Sequence, residues 1–139
     1  MIFTIPVTTR VEDFDQHGRL TPTALLSIFE NTAVRHAETV GYSPMDDSLR
    51  NGMAWLITNW RVAVERAPAY DEPFTASTWL CNNPRQATRE MLLQSAGGEV
   101  LARGQAKLAL VDRSCNKPCL PTPERLAACQ PELRSASPD

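Results

Sequence analysis

The chain has 139 residues, of which 42% are hydrophobic and 22% are charged, and its formal net charge is −2 at pH 7. This length and composition predict a single globular domain that can bury a core without disulfides or a structural metal. The small negative net charge does not indicate a nucleic-acid-binding protein, and no apolar run reaches the roughly 18 residues of a membrane helix. Because the start of the chain also lacks a signal-peptide pattern, we expect a cytoplasmic protein without nucleic-acid or membrane partners.

The N-terminal part of the chain predicts one strand followed by one long helix. Residues 2–11 (IFTIPVTTRV) are rich in β-branched side chains, which favour a strand. Thr21 and Pro22 supply an N-cap and a first-turn proline, and Gly41 stands where a left-handed C-terminal cap would fall. A helix is therefore predicted over 22–40. Its apolar residues recur with the helical period at Leu25, Leu26, Phe29, Ala33, Ala37 and Val40.

The rest of the chain predicts a sheet that covers the apolar face of this helix. Four strands are predicted after a loop at 42–52, and they lie at 54–66, 73–82, 86–96 and 99–112. Short hairpin turns are expected at Asn82-Asn83-Pro84 and at Gly97-Gly98. One helix against an antiparallel sheet is an α+β architecture, which we assign to residues 1–120. For residues 121–139 we expect a short helix (PTPERLAACQ) and a frayed tail.

The order of these elements resembles the hotdog fold, in which a curled antiparallel sheet wraps a long central helix. The motif D-x-x-G from Asp15 to Gly18, followed by Phe29-Glu30, resembles thioesterases of the 4-hydroxybenzoyl-CoA type. The segments FENTAVRHAETVG (29–41) and GMAWLITNWRVAVERAPAYDEPFTASTWL (52–80) are similar to the first hotdog repeat of the acyl-acyl-carrier-protein thioesterase family. A D-R-x-x-x-x-P motif from Asp112 to Pro118 adds to this resemblance, which covers about residues 3–125.

The chain departs from that family at the catalytic loop. The catalytic repeat of the family reads D-x-N-x-H, and Asp15 matches its Asp, whereas His17 stands at the Asn and Arg19 at the His. The first repeat of the plant members, which the rest of the chain resembles more, lacks the Asp. Plant members also carry two hotdog repeats, whereas this sequence has room for one.

The resemblance implies an acyl thioesterase that releases a carboxylic acid from an acyl-carrier-protein or coenzyme A thioester, with no cofactor and no metal. It also implies a homodimer or homotetramer whose sheets continue across an interface, with the active sites near it. A non-catalytic acyl-thioester-binding protein is the alternative. A hotdog hydratase would need a His-centred loop that is absent from the sequence.

Asp15 is the first candidate for the catalytic carboxylate. A helix start presents unpaired backbone N–H groups and a partial positive charge, which suit the oxyanion of thioester hydrolysis. Asp15 lies just before such a start and is predicted to act as general base or nucleophile, although a plain capping carboxylate is the other interpretation. Pro22 has no N–H, so the oxyanion donors are expected from amides at Gly18, Thr21 or Thr23.

Glu30 is the second candidate, because it lies at the edge of the apolar face, about 80° from its centre at 100° per residue. Some hotdog thioesterases use a helix Glu in this region as the base, and a solvated flank residue is an equal alternative. His17 and Arg19 are expected to position substrate, and Asn59, in the middle of a predicted strand, to support the site. His36 is expected to be a buried, hydrogen-bonded core imidazole. Asn31 is assigned no role.

The cysteines and the cationic residues give weaker signals. The four cysteines are expected to be reduced, and the lone C-x3-C at Cys115 and Cys119 does not predict a zinc site. Cys81 has no neighbouring His and is not expected to be a nucleophile. An acidic carrier protein would dock on a basic surface, for which the candidates are Arg61, Arg66, Arg85, Arg89, Arg103 and Lys107, although these residues could equally face different directions.

Overall fold

The computed structural model describes residues 1–81, 88–132 and 135–136, and within them six strands form one antiparallel sheet. The strand order is β1-β3-β4-β5-β2, and the short β6 pairs with β5. The strands are β1 (Phe3–Pro6), β2 (Met53–Val64), β3 (Phe74–Cys81), β4 (Thr88–Ser95), β5 (Val100–Asp112) and β6 (Lys117–Cys119). The helices are α1 (Pro22–Thr39), α2 (Pro44–Arg50) and α3 (Pro123–Ala128). The α+β class predicted from the sequence is confirmed.

The long helix α1 begins and ends where the sequence predicts. The Thr21 hydroxyl oxygen accepts a hydrogen bond from the Ala24 N–H at 3.2 Å, with Pro22 in the first turn. At the other end Gly41 has a φ of 90°, a left-handed conformation that glycine adopts without a Cβ penalty. The Gly41 and Tyr42 N–H groups donate to the carbonyls of Glu38 and Ala37, which closes the helix.

The core lies between α1 and one face of the sheet, which we call the inner face. Phe29 is fully buried and stacks on Trp60 with ring centroids 6.3 Å apart. Gly104 on β5 makes this possible, because a Cβ there would lie 2.9 Å from Phe29 Cε2. The opposite face, which we call the outer face, carries the alternate residues of each strand.

Three elements differ from the expectations. The first strand ends at Pro6, and residues Val11–Asp13 form a 3-10 turn in which Asp13 Oδ2 accepts the Arg10 N–H at 2.8 Å. The predicted loop at 42–52 contains α2, whose start is capped by Ser43. The strand β6 was not predicted. The expected turn at 82–84 lies outside the described residues.

The C-terminal residues pack against the body of the protein. The predicted helix at 121–130 forms α3, and Thr122 caps it as Thr21 caps α1. Of the predicted frayed tail the structure describes Ser135 and Ala136. Ala136 is buried, and the Ser135 hydroxyl donates to Glu90 Oε1 at 2.6 Å on the outer face.

Candidate active site

The loop that carries Asp15 is a tight reversal of the chain between Phe14 and Leu20. The two ends pair as an isolated antiparallel bridge, and the Asp15 N–H donates to the Arg19 carbonyl at 2.9 Å. The Gly18 N–H closes the turn on the Asp15 carbonyl, and the φ of Gly18 is 70°. A residue with a Cβ would be strained in this conformation, so the D-x-x-G pattern has a local structural cause.

The carboxylate of Asp15 is held by its own loop. Its Oδ1 accepts hydrogen bonds from the backbone N–H groups of His17 at 2.8 Å and Arg19 at 3.0 Å. These bonds, that of Arg19 first, lower the pKa of Asp15 below the ordinary aspartate range, so the group is charged at neutral pH. Within the described residues the other carboxylate oxygen, Oδ2, accepts no hydrogen bond, and Asp15 is exposed to solvent. The loop therefore presents one oriented, charged oxygen.

A second segment, residues 66–72, anchors the loop. The Leu20 N–H donates to the Pro68 carbonyl at 2.9 Å, and the Tyr70 N–H donates to the Gly18 carbonyl at 2.8 Å. The rings of Phe14 and Tyr70 meet edge to face at 5.3 Å. The loop is thus fixed on both sides.

An ion-pair network holds that segment in turn. Arg66 donates two parallel hydrogen bonds to the carboxylate of Glu72, at 2.8 and 2.7 Å, and a third to Glu99 at 2.9 Å. The Arg66 hydrogen bonds, followed by one from the Ala69 N–H, lower the pKa of Glu72 to about 2. This bidentate geometry depends on the planar guanidinium of an arginine.

Of the three amides expected to bind an oxyanion, two already have partners. The Gly18 N–H donates to the Asp15 carbonyl, and the Thr21 N–H donates to the Asp13 carbonyl at 2.9 Å. The Thr23 N–H, in the first turn of α1, has no partner within residues 1–81, 88–132 and 135–136. Of these three amides, the N–H of Thr23 is therefore the one best suited to donate a hydrogen bond to a developing oxyanion.

The remaining predicted site residues are exposed. The His17 ring lies 3.3 Å from the Gln16 side chain, and Arg19 donates to the Ala67 carbonyl at 3.3 Å. Glu30 lies on the exposed flank of α1, and Asn59 lies at a bulge of the edge strand β2. In the described part of the chain neither Glu30 nor Asn59 forms a hydrogen bond or ion pair with the Asp15 loop.

A concave surface beside β1 was not predicted from the sequence. A groove of about 1030 Å³ runs between β1 and the flank of α1 that carries Ser27, Asn31 and Arg35. Asp13 lines one end of it, but Asp15 does not. At 100° per residue Glu30 lies on the opposite flank of α1 from this groove. Asn31, to which the sequence assigned no role, lies on the groove side. The small polar residues Ser27 and Asn31 lie four apart on this flank, and this pattern was the sequence signal from which the groove could have been predicted.

His36 confirms the expectation of a buried, hydrogen-bonded imidazole. The ring is fully buried, its Nδ1 lies 2.6 Å from Arg89 Nη1, and Phe3 stacks on it with centroids 5.2 Å apart. Burial and then the charge of Arg89 lower the pKa of His36 to about 4.

The predicted basic docking surface needs correction. Arg89 is 6% exposed and lies on the inner face, so it is not available to a partner. Arg66 is held by Glu72 and Glu99, and Arg85 lies outside the described residues. Arg61, Arg103 and Lys107 are exposed together on the outer face of β2 and β5. Alternation along β4 and β5 explains the division, since Arg89 pairs with the inward Ala106.

The described residues contain no cluster of His, Cys, Asp or Glu side chains that could hold a metal ion. Within the same residues no helix is both long and apolar enough to cross a membrane.

Comparison with known proteins points to one family. Residues 2–129 match the family model described as the acyl-ACP thioesterase N-terminal domain. No curated protein matches the chain.

Solved structures give the fold. The chain is similar to a Lactobacillus plantarum protein assigned as an oleoyl thioesterase, with 23% identity and a TM-score of 0.85 over 94% of this chain and 51% of that chain. It is similar to the 12:0-ACP thioesterase from Umbellularia californica, with 17% identity and a TM-score of 0.83 over 99% and 56%. It is also similar to a 1,4-dihydroxy-2-naphthoyl-CoA thioesterase from Synechocystis, with 12% identity and a TM-score of 0.81 over 93% of this chain and 95% of that chain. The hotdog fold is confirmed, and the chain spans about half the length of the first two proteins.

Proposed function

Because the chain belongs to the acyl-ACP thioesterase family, we propose that it is a thioester hydrolase that releases a carboxylic acid from an acyl-carrier-protein or acyl-coenzyme A thioester. The observation that carries the proposal is the Asp15 loop. Two backbone N–H groups fix Oδ1 and keep the carboxylate charged, and Oδ2 is left for chemistry a few residues before the start of α1.

The proposed reaction uses the loop and the helix start together. Oδ2 of Asp15 orients a water molecule and accepts its proton as the water oxygen bonds to the thioester carbon. The carbonyl oxygen gains negative charge, which the Thr23 N–H and the positive end of α1 stabilise. The carbon–sulfur bond then breaks, and the leaving thiolate takes the proton. Direct attack by the carboxylate, which gives a mixed anhydride that water then cleaves, is the alternative because the lowered pKa makes Asp15 a weak base.

Positioning of the substrate is proposed for the exposed His17 and Arg19 side chains on the same loop. Glu30 lies on the opposite flank of α1 from the groove, so we propose that it acts in a site shared with a second hotdog unit. Asn59 lies on the edge strand β2, where a second unit would also meet it. We propose a homodimer formed through that edge, with a tetramer as the higher assembly.

The test is thiol release from a panel of acyl-coenzyme A and acyl-carrier-protein thioesters. We expect Asp15→Asn to lower kcat/KM by about a hundredfold or more, since general base catalysis contributes on that scale. Asp46→Asn, an exposed carboxylate on α2, is the matched control and is expected to leave kcat/KM unchanged. A loss in Glu30→Gln, with Asp15→Asn active, would move the catalytic role to Glu30.

A non-catalytic acyl-thioester-binding protein is the second candidate function. It is favoured by Pro22 and by the amides of Gly18 and Thr21, because these leave few free donors for an oxyanion. Binding of a non-hydrolysable thioether analogue of acyl-coenzyme A, without thiol release from any thioester in the panel, would support this function and reject hydrolysis.

The choice of carrier can be tested on the outer face. The exposed Arg103 and Lys107 lie four residues apart on the same face of β5, and their positive charges suit an acidic carrier protein. We expect the double variant Arg103→Glu, Lys107→Glu to raise KM for an acyl-carrier-protein substrate at least about tenfold, because opposite charges become like charges. KM for the same acyl group on coenzyme A should stay the same and serves as the control. An equal change for both carriers would contradict a docking surface.

A further inference from the structure

Arg89 is a cation placed in the core of the protein. It lies in β4 on the inner face, beside Leu80 of β3 and Ala106 of β5, and it is 6% exposed. Its neighbours along the same face are apolar, among them Met91 and Leu93. A guanidinium keeps its proton under nearly all conditions, so the positive charge is buried with it.

The side chains around Arg89 do not neutralise it. Nη1 contacts the Nδ1 of His36 at 2.6 Å, which accepts as a neutral ring, and the Cys129 side chain is a second hydrogen-bonding partner. Nε is buried without a hydrogen-bond partner. Within residues 1–81, 88–132 and 135–136 no carboxylate lies within ion-pair distance of Arg89. The nearby Arg125 differs, because Asp47 binds it through two hydrogen bonds of 2.7 and 2.6 Å.

A small cavity lies beside the guanidinium. Its volume is about 70 Å³, and Leu80, Leu108 and Leu126 line it beside Arg89. Tyr42, Cys129 and Arg125, which Asp47 already binds, also line it. One water needs roughly 10–15 Å³ of such space, so the cavity has room for roughly five waters or a small organic solute. The aliphatic part of this lining, together with the guanidinium of Arg89, suits a solute with a short alkyl part and one negative group.

An uncompensated buried charge is costly, and well-packed apolar residues commonly replace such groups with a gain in stability. Arg89 is therefore poorly explained as a structural residue. We propose that the cavity beside Arg89 binds a small carboxylate, whose oxygens accept hydrogen bonds from Nε and a neighbouring guanidinium nitrogen. A carboxylate matches the planar fork of an arginine. A phosphate would bring a second negative charge beside Arg89, whereas Asp47 already pairs the other arginine of the described lining, Arg125.

The carboxylate has two possible sources, which share this chemistry. It can be a free short-chain acid, or it can be the distal carboxylate of an acyl group. The second source rests on the proposed function, whereas the first does not.

The first experiment measures binding without any reaction. Thermal unfolding of the whole chain is followed in propionate, in propionamide, and in gluconate, a carboxylate too large for the cavity, at matched ionic strength. We expect saturating propionate to raise Tm by about 3 °C or more, and the other two solutes to leave it unchanged. In Arg89→Met, which removes the charge at similar length, propionate should have no effect.

The Tm of the variants without ligand is a second measurement, and it distinguishes a ligand-binding arginine from a structural one. Without ligand, Arg89→Met should unfold at the same Tm as the unsubstituted protein or higher, whereas loss of a structural ion pair would lower it. Arg89→Lys keeps the charge but not the fork and should bind propionate at least about tenfold more weakly. Arg50→Met, an exposed arginine on α2, is the control for a general effect of removing a cation.

Three results would overturn the proposal. They are the absence of a propionate effect on the unsubstituted protein, an equal effect on Arg89→Met, and a thiolate absorbance of Cys129 that disappears in Arg89→Met. The last result would mean that Arg89 is already paired within the protein.

The second experiment identifies the source of the carboxylate. Hydrolysis of glutaryl-coenzyme A is compared with that of pentanoyl-coenzyme A, which lacks the distal charge. A preference of at least about tenfold in kcat/KM for the glutaryl group that is lost in Arg89→Met identifies the acyl source. Equal rates, together with propionate binding, identify a free acid. If neither of these two thioesters is cleaved while others of the panel are, the acyl source is rejected and a free acid remains. If no thioester of the panel is cleaved, the proposed function fails, while the binding result still decides the present proposal.

Discussion

His36 is a histidine that the fold keeps neutral. Its ring is fully buried between Phe3 and Arg89, and the amino group of Met1 adds a further positive charge nearby. The pKa of about 4 lies below the ordinary histidine value near 6.5, which the unfolded chain is expected to show. Between these values the unfolded state binds a proton that the native state does not. His36 therefore does not reduce the free energy of unfolding above pH 6.5, and it reduces this free energy progressively as the pH falls from 6.5 towards 4.

We expect His36→Gln to flatten this pH dependence, because an amide can still accept from Arg89 and does not titrate. For the unsubstituted protein the free energy of unfolding should fall between pH 7 and pH 4 by at most about 3 kcal/mol from this group. The measurement is urea unfolding across this range. His17→Gln is the control, since His17 is the other of the two histidines in the sequence and is exposed. An unchanged pH dependence in His36→Gln would contradict the assignment.

Helix α2 shows what local sequence does and does not predict. Helices α1, α2 and α3 each begin with Ser or Thr before Pro, and the hydroxyl oxygen of each cap accepts the N–H three residues later. This signal supports the prediction of α1, whereas residues 42–52, which contain α2, are predicted as a loop. Its residues PMDDSLR have no apolar period, because α2 is held by polar contacts from distant segments rather than by an apolar face.

The centre of those contacts is Asp47. It is 1% exposed, and its carboxylate accepts two hydrogen bonds from Arg125 of α3, one from Trp55 Nε1 at 3.1 Å and one from Asn51 at 3.1 Å. Arg125 also lies over the ring of Tyr42 at 4.9 Å. One carboxylate therefore joins α2, α3 and β2.

Asp47→Ala is expected to destabilise the protein by about 3–5 kcal/mol, because it leaves the Arg125 charge partly buried without a partner. The neighbouring Asp46 is the matched control. It is exposed and lies 3.7 Å from Arg50, so Asp46→Ala should change the free energy of unfolding by less than about 0.5 kcal/mol. Urea unfolding of the two variants measures the difference, and equal values would show that the buried network does not hold α3.

The same division between local and distant information applies to the candidate site. The turn at Asp15 is predictable because the hydrogen bonds to its carboxylate join residues no more than four apart in sequence, although residues 67–70 anchor the loop from a distance. The contact between His36 and Arg89 joins residues 53 apart. The periodicity of apolar residues predicts that a residue faces inward, but it does not predict which residue it contacts there. Arg89 was consequently assigned to a docking surface, and the groove beside β1 was not anticipated.

For the whole molecule, the edge strand β2 is the feature that bears on assembly. In the described part of the chain β2 pairs with β5 alone, and Leu56 and Val64 are 50% and 49% exposed along it. An exposed strand edge with apolar residues is a ready site for pairing with another strand. The chain spans about half the length of two of the thioesterases that it resembles in structure. A second copy joined at β2 would give a molecule of comparable extent.

We therefore expect sedimentation equilibrium to detect a dimer, and Leu56→Lys to raise its dissociation constant at least about tenfold, because a lysine on a strand edge opposes pairing. Leu120→Lys is the control, since Leu120 is 73% exposed and lies outside the edge strand. Both substitutions should change the stability of the monomer little, because at least half of each residue is already exposed to water. If Glu30 or Asn59 acts in a shared site, the specific activity of the unsubstituted protein should also fall on dilution, and it should fall at higher concentrations in Leu56→Lys. A monomer at all concentrations that retains full activity would contradict the dimer and would leave Asp15 to act within one chain.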